Sequence, residues 1–159
     1  MGEQQHHVFM ERAIALSKEG MLNEKGGPFG CVIVKNGKII AEACNSVTSN
    51  NDPTAHAEIV AIRKACDELG NYQLEGCIIY TSCEPCPMCL GAIYWARPDQ
   101  VFYANSKQDA ANIGFDDDFI YKEIPLPDAE RQINFKHFPL DSALQVFELW
   151  EEKGNKKLY

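Results

Sequence analysis

Residues 77–105, "CIIYTSCEPCPMCLGAIYWARPDQVFYAN", contain the segments that decide the fold. The run "CIIYTS" is typical of a buried strand, "PMCLGAIYWAR" predicts a helix with Pro87 in its first turn, and "QVFYAN" predicts another strand. A strand, a helix and a second strand in this order predict a layered α/β arrangement.

The segments before this unit extend the same pattern. A helix is predicted over residues 8–19 and is expected to end at Gly20, because glycine commonly terminates helices. Two runs rich in β-branched residues flank Asn36-Gly37, which is the strongest short signal for a β-hairpin. The apolar positions of the first helix recur at helical spacing: Phe9, Ala13 and Leu16.

Two further helices are predicted. "DPTAHAEIVAIRKACDELG" opens with residues that cap helices and closes at Gly70, and "DSALQVFELWEEKG" has the pattern of a final amphipathic helix. The segment between residues 106 and 138 mixes short helical pieces with turns. No linker or repeat divides the chain, so residues 1–159 are expected to form a single α/β domain with helices on both sides of its sheet.

Composition and charge limit the possible location of the protein and the class of its substrate. The apolar runs are far shorter than the roughly 20 residues of a membrane span, and the N-terminus lacks the layout of a signal peptide. We therefore expect a cytoplasmic protein whose seven cysteines are reduced. Fifteen basic against 23 acidic residues give a net charge of −8, which favours a small neutral substrate over nucleic acid.

The cysteines of "CEPCPMC" suggest a metal site. Cys86 and Cys89 lie three residues apart at a predicted helix start, where both sulfur atoms share a face and the helix dipole favours thiolate. His56 also lies at the start of a helix and is a candidate third ligand.

Three kinds of metal site fit the cysteine spacing to different degrees. An iron–sulfur cluster of the bacterial type requires a cysteine at position 93, which is Ile93. A structural zinc site requires four ligands, with Cys83 as the fourth. A catalytic zinc site uses three protein ligands and leaves the fourth position to water.

Glu58 favours the catalytic site. The pattern His56-Ala57-Glu58, followed later by Pro85-Cys86 and Cys89, is the motif of zinc nucleobase deaminases, in which the glutamate carries protons and is not a ligand. Zinc lowers the pKa of its bound water to about 7, and a nearby carboxylate takes up the remaining proton. His56 and Glu58 are two residues apart, however, and such residues do not share a face of a regular helix.

Longer motifs resemble the bacterial guanine deaminases of the cytidine deaminase-like zinc superfamily. They are "GGPFG" (26–30), "NDPTAHAE" (51–58), "YTSCEPCPMCLGAIYWARP" (80–98), "GFDD" (114–117), "FIYKE", and the terminal "NKK" with a final tyrosine. The zinc motif is common to the superfamily, whereas "GGPFG", "GFDD" and the last tyrosine point to guanine. The resemblance implies a three-layer α/β/α sandwich with a mixed central sheet.

The resemblance also implies roles for individual residues. It makes Glu58 the first proton carrier and Asp117 a second carboxylate that acts at the leaving amino group. The base pocket would be formed by Phe29 and Trp95 as aromatic walls, Asn45 as a hydrogen-bonding contact, and Tyr159 as a lid. The implied assembly is a homodimer that exchanges its C-terminal segment, so that Tyr159 closes the partner's site.

The expected activity is hydrolysis of guanine to xanthine and ammonia in purine catabolism or salvage, by a hydrolase acting on C–N bonds in cyclic amidines. The same scaffold is compatible with a guanosine, aminopurine or aminotriazine deaminase, or with a tRNA adenosine deaminase, although the acidic charge disfavours the last. Outside the enzymes, the alternative is a non-catalytic interaction domain whose fold is stabilised by zinc.

The residues implied in binding also have structural alternatives. Phe29 and Trp95 could instead be core aromatics, and the aspartates of "FDDD" could instead form a solvated turn.

Overall fold

The computed structural model describes residues 2–158 and contains two compact units, Met1–Asp117 and Asp118–Tyr159. The first unit contains four strands and five helices among its described residues. The strands are β1 (Gly30–Lys35), β2 (Lys38–Cys44), β3 (Cys77–Cys83) and β4 (Gln100–Asn105). The helices are α1 (Glu3–Leu22), α2 (Val47–Asn50), α3 (Ala57–Leu69), α4 (Pro87–Ala96) and α5 (Lys107–Asn112).

The four strands form one mixed sheet in the order β2-β1-β3-β4. β1 pairs antiparallel with both β2 and β3, whereas β3 and β4 run parallel. The parallel pair is joined through α4, which confirms the strand, helix, strand unit predicted for residues 77–105. No helix among the described residues has the length and apolar character needed to cross a membrane.

Helices cover both faces of the sheet. On one face, Phe9, Ala13 and Leu16 of α1 pack against Val32 and Tyr80 of the sheet. On the other face, α3 and α4 contribute a second buried cluster together with alternate residues of β1 and β3. This arrangement confirms the predicted α/β/α sandwich, and it places the N-termini of α3 and α4 on the same side of the sheet.

The hairpin between β1 and β2 has the predicted turn. Asn36 and Gly37 have φ angles of 51° and 72°, as the two central residues of a type I′ turn require. Next to the turn, Lys35 pairs with Lys38 and Val34 with Ile39, and the register then shifts between Val34 and Ile33.

The predicted end of the first helix was wrong. α1 continues to Leu22, and Gly20 is a buried residue within its last turn. A Cβ atom at this position would lie 2.5 Å from Cβ and 2.8 Å from Sγ of Cys44. Gly20 is therefore explained by the close approach of α1 to β2 and does not end the helix.

The prediction that the first residues of "DPTAHAEIVAIRKACDELG" cap α3 was also wrong. α3 begins at Ala57 with His56 as its N-cap residue, and the upstream Asp52 does not cap it. Asp52 instead organises the preceding turn, because its Oδ1 accepts hydrogen bonds from the backbone N–H and the hydroxyl of Thr54 at 2.8 and 2.7 Å. The predicted end at Gly70 is confirmed, with φ of 57° in the left-handed region.

The second unit contains α6 (Asp118–Glu123), a short 3₁₀ turn (Asp128–Glu130) and α7 (Asp141–Glu152). Its last helix confirms the amphipathic helix predicted from "DSALQVFELWEEKG". None of the described residues from 118 to 158 is buried, and large apolar side chains such as Phe138 and Phe147 remain exposed.

Candidate active site

The site begins where β3 ends and α4 starts. Cys86 is the N-cap residue of α4, and Pro87 occupies the first turn, where its missing N–H is not needed. The Sγ atom of Cys86 accepts the backbone N–H of Cys89 at 3.5 Å. The helix start thus fixes Cys86 and stabilises negative charge on its sulfur.

His56 occupies the equivalent position on the neighbouring helix. It is the N-cap residue of α3, with extended backbone angles of φ −64° and ψ 153°. Its Nδ1 atom lies 3.5 Å from Sγ of Cys86 and 3.5 Å from Sγ of Cys89. Two helix N-termini therefore bring one imidazole and two thiols together.

This group has the dimensions of a zinc site. Its three ligand atoms lie within 4.8 Å of one another. Zinc–sulfur bonds of about 2.3 Å and zinc–nitrogen bonds of about 2.0 Å at tetrahedral angles place sulfur and nitrogen about 3.5 Å apart. The two measured separations of 3.5 Å match that value, so the donor set fits tetrahedral zinc.

The thiols of the segment differ in their proton affinity. Hydrogen bonds from the Cys89 thiol and from His56 lower the pKa of Cys86 to about 4. The pKa of Cys89 is raised because it donates to Cys86 and is buried. The hydrogen bond to Cys86 also raises the pKa of His56. One thiolate is thus available before any metal binds, as a metal ligand requires.

Cys83 lies apart from this group. Its Sγ atom donates to the carbonyl oxygen of Ser106 at 3.6 Å, and burial raises the pKa of its thiol to about 11. It is absent from the cluster of metal-ligand candidates found among residues 2–158. This placement favours three protein ligands over the four of a structural zinc site.

Glu58 faces the same group from α3. Its Oε2 atom lies 3.5 Å from Sγ of Cys89, and the side chain is almost fully buried. Burial raises the pKa of this carboxyl group. The N-cap position of His56 explains why two residues that are two apart share one site, because His56 precedes the helix and only Glu58 obeys helical spacing.

Asp117 interacts electrostatically with two residues of this group, Cys86 and His56. Burial, together with the charge of Cys86, raises the pKa of its carboxyl group. The negative charge of Asp117 in turn contributes to the raised pKa of His56. The structure therefore places the second predicted carboxylate in the electrostatic environment of the zinc group.

The residues predicted to bind the base have different surroundings. Phe29 packs edge-to-face against Phe115, with ring centroids 4.9 Å apart. Asn45 is buried, and its Oδ1 accepts the backbone N–H groups of Gly27 and Val47.

Trp95 lies on α4 with 63% of its surface exposed. Tyr159 lies outside the described residues. The roles of both residues in binding a base stay predictions.

Gly26 explains part of the "GGPFG" motif. A Cβ atom at this position would overlap Oδ1 of Asn45. The glycine therefore allows the buried amide to lie directly against the backbone. This contact links the motif to the proposed binding residue Asn45.

Sequence reasoning missed two residues at the site. Phe115 packs against Phe29, and the only sequence signal for it was its place within "GFDD". Thr81 donates from Oγ1 to Oε1 of Glu58 at 2.9 Å. A polar residue within the apolar run "CIIYTS" was the available signal for Thr81.

The fold and the site together define a zinc-dependent deaminase domain. The family model described as the cytidine and deoxycytidylate deaminase zinc-binding region matches residues 3–105, and the chain belongs to this family. Among its relatives, the guanine deaminase of Bacillus subtilis is 61% identical over 154 residues, which cover 97% of this chain and 99% of that protein.

Two further comparisons bear on the class of substrate. The crystal structure of the Bacillus subtilis guanine deaminase matches with a TM-score of 0.94 at 59% identity, covering 100% of this chain and 99% of the other. The tRNA-specific adenosine deaminase of Aquifex aeolicus is 36% identical, over 84% of this chain and 86% of that protein. The similarity to the guanine deaminase is thus much higher and extends over the whole chain.

Proposed function

We propose that this protein catalyses the zinc-dependent hydrolytic deamination of guanine to xanthine and ammonia. The observation that carries this proposal is the His56, Cys86 and Cys89 group with Glu58 beside it, in a chain so similar to a guanine deaminase. The activity is that of a hydrolase acting on C–N bonds in purine catabolism or salvage.

His56, Cys86 and Cys89 hold the zinc ion in this proposal. Zinc held by these three ligands would lower the pKa of its bound water to about 7 and so supply hydroxide as the nucleophile at neutral pH. Glu58 accepts a proton from the attacking water and delivers it to a ring nitrogen. The proximity of its Oε2 atom to Cys89 supports this role, because it places the carboxylate beside the zinc ligands.

Asp117 acts at the leaving amino group. After attack at the ring carbon, the amino group must gain a proton before it departs as ammonia. A second carboxylate near His56 and Cys86 is suited to direct that proton. Two carboxylates thus divide the proton transfers between the ring and the leaving group.

The base lies against Phe29 and Trp95 and contacts Asn45. Because the Oδ1 atom of Asn45 already accepts two backbone N–H groups, its amide N–H₂ is the part left to donate to the purine. Tyr159 covers the base and excludes water from the zinc centre.

We further propose a homodimer in which residues 118–159 are exchanged between two copies. This unit has no buried residue among those described, although α7 carries large apolar side chains. Such a surface needs a partner to cover it, and a second copy of the chain is the partner we propose.

The seven free thiols support a reducing, cytoplasmic location.

The proposal is tested by measuring ammonia release from guanine, guanosine, adenine, cytidine and a tRNA anticodon stem-loop, with zinc-loaded protein. We expect rapid turnover of guanine and none of cytidine or RNA. Efficient turnover of guanosine with little of guanine would instead identify a nucleoside deaminase, and turnover of the RNA would identify a tRNA deaminase. A zinc-loaded protein inactive on every substrate would support the non-catalytic alternative.

A further inference from the structure

Thr81 is a buried polar residue in the middle of the sheet. It lies in β3 with 0% of its surface exposed, and its Oγ1 donates to Oε1 of Glu58 at 2.9 Å. We infer that Thr81 is a positioning residue for the reaction, which fixes the carboxylate of Glu58 in the orientation that transfers protons. This inference rests on the proton-carrying role proposed above for Glu58.

The two oxygens of Glu58 have different partners. Oε1 is bonded to the sheet through Thr81, whereas Oε2 lies 3.5 Å from Sγ of Cys89 on the side of His56 and Cys86. Thr81 thus orients the carboxylate so that its other oxygen faces the reacting centre.

The hydrogen bond from Thr81 is the side-chain contact that carries this inference. The contact between Oε2 and Sγ of Cys89 is long, at 3.5 Å, and Cys89 is itself one of the three residues of the proposed zinc group. Thr81 lies outside that group, and its Oγ1 donates to Oε1 at 2.9 Å.

The carboxylate of Glu58 also accepts its own backbone N–H, so Thr81 is one of two donors from outside the zinc group. The direct partner of Thr81 across the sheet is Cys31, which is fully buried in the apolar cluster beneath α3. A carboxylate oxygen that loses its donor in such an environment is left without a hydrogen bond or turns toward another donor. Either outcome loosens the orientation of the Glu58 carboxylate.

The test compares Thr81→Val with Thr81→Ser, because valine keeps the shape of threonine without the hydroxyl and serine keeps the hydroxyl. Removing a group that orients a residue of a metal site typically costs about 10- to 100-fold in activity. We expect Thr81→Val to lose that factor in kcat with little change in KM for guanine. Thr81→Ser should recover most of the lost kcat, and zinc content should stay at one ion per chain in both.

Ile79→Val is the matched control. Ile79 lies two residues earlier in β3, is fully buried in the same cluster and has no hydroxyl. The variant measures the effect of removing one buried methylene group from this face of the sheet. We expect it to keep the kcat of the parent. If Thr81→Val does not fold, Thr81→Ser and Thr81→Ala provide the same comparison of one hydroxyl.

Glu58→Gln separates the two proposals. If Thr81 acts through Glu58, adding Thr81→Val to Glu58→Gln should cause no further loss of kcat. A parental kcat in zinc-loaded Thr81→Val, with Glu58→Gln inactive, would overturn the inference about Thr81 alone. High activity in Glu58→Gln would instead overturn the proposed role of Glu58.

Discussion

At the scale of single residues, the site depends on two N-cap residues and one buried carboxylate. His56 and Cys86 each precede a helix, so both point beyond the helix end toward a common centre. Glu58 lies in the first turn of α3 and reaches the same centre. The assignment of Glu58 as proton carrier and of Cys83 as a non-ligand can each be tested by one substitution.

Glu58→Gln should fold and bind zinc but lose nearly all turnover of guanine. The amide has almost the same shape as the carboxylate, yet it cannot accept a proton from water. General acid–base groups commonly contribute about 10² to 10⁴ in rate. Steady-state kinetics with zinc analysis measure the effect, and activity close to that of the parent would remove Glu58 from the mechanism.

Cys83→Ser should retain one zinc ion per chain and much of the activity. Its thiol donates to the Ser106 carbonyl and lies outside the zinc group, and serine can make the same hydrogen bond. Cys89→Ser is the matched control and should lose zinc, because it removes one of three ligands. Loss of stoichiometric zinc in Cys83→Ser would identify a four-ligand structural site.

At the scale of secondary structure, patterns carried by neighbouring residues predicted the elements well. The hairpin at Asn36-Gly37, the strand, helix, strand unit and the end of α3 at Gly70 all depend on local turn and capping chemistry. What sequence could not predict were contacts between elements. The role of Gly20 depends on Cys44 of β2, 24 positions later in the chain.

The same distinction applies to the candidate site. Its three ligands and its carboxylate were predictable because their spacing is a motif, and the structure brings them together. Thr81 lies in β3, whereas the histidine motif lies at the start of α3, and nothing in the neighbouring sequence of Thr81 indicates which helix its hydroxyl faces. Only the register of the sheet determines that contact.

Gly20→Ala tests the close approach of α1 to β2. Alanine favours a helix over glycine by about 1 kcal/mol. Crowding against Cys44 costs about 1 to 3 kcal/mol. We therefore expect the free energy of unfolding to fall by up to about 2 kcal/mol, measured by denaturant titration.

Gly91→Ala is the control for this prediction. Gly91 lies within α4, and a Cβ atom there would have no neighbour within 4 Å. The substitution should leave stability unchanged or raise it by up to about 1 kcal/mol, because only the helix preference acts. Equal stabilisation by both substitutions would show that α1 and β2 can separate without cost.

At the scale of the whole molecule, the role that we propose for the C-terminal unit depends on a second chain. Deleting residues 155–159 should leave zinc content nearly intact while raising KM and lowering kcat for guanine, because Tyr159 closes the base pocket in our proposal. Unchanged kinetics would show that this end is a solvated terminus.

Subunit mixing distinguishes exchange from closure within one chain. A dimer of the truncated chain with full-length Glu58→Gln should regain activity if Tyr159 reaches the partner's site, since one site then has both Glu58 and the tyrosine. Each parent alone should stay nearly inactive. Failure to regain activity after mixing has been demonstrated would mean that each chain closes its own site.

The central claim is that one zinc ion, held by His56, Cys86 and Cys89, makes this protein a guanine deaminase. The most direct test is to titrate zinc into metal-free protein and to measure xanthine formed from guanine at each step. Activity should rise in proportion to zinc and reach its maximum at one ion per chain. Full activity in protein shown to contain no zinc or other metal would contradict the account.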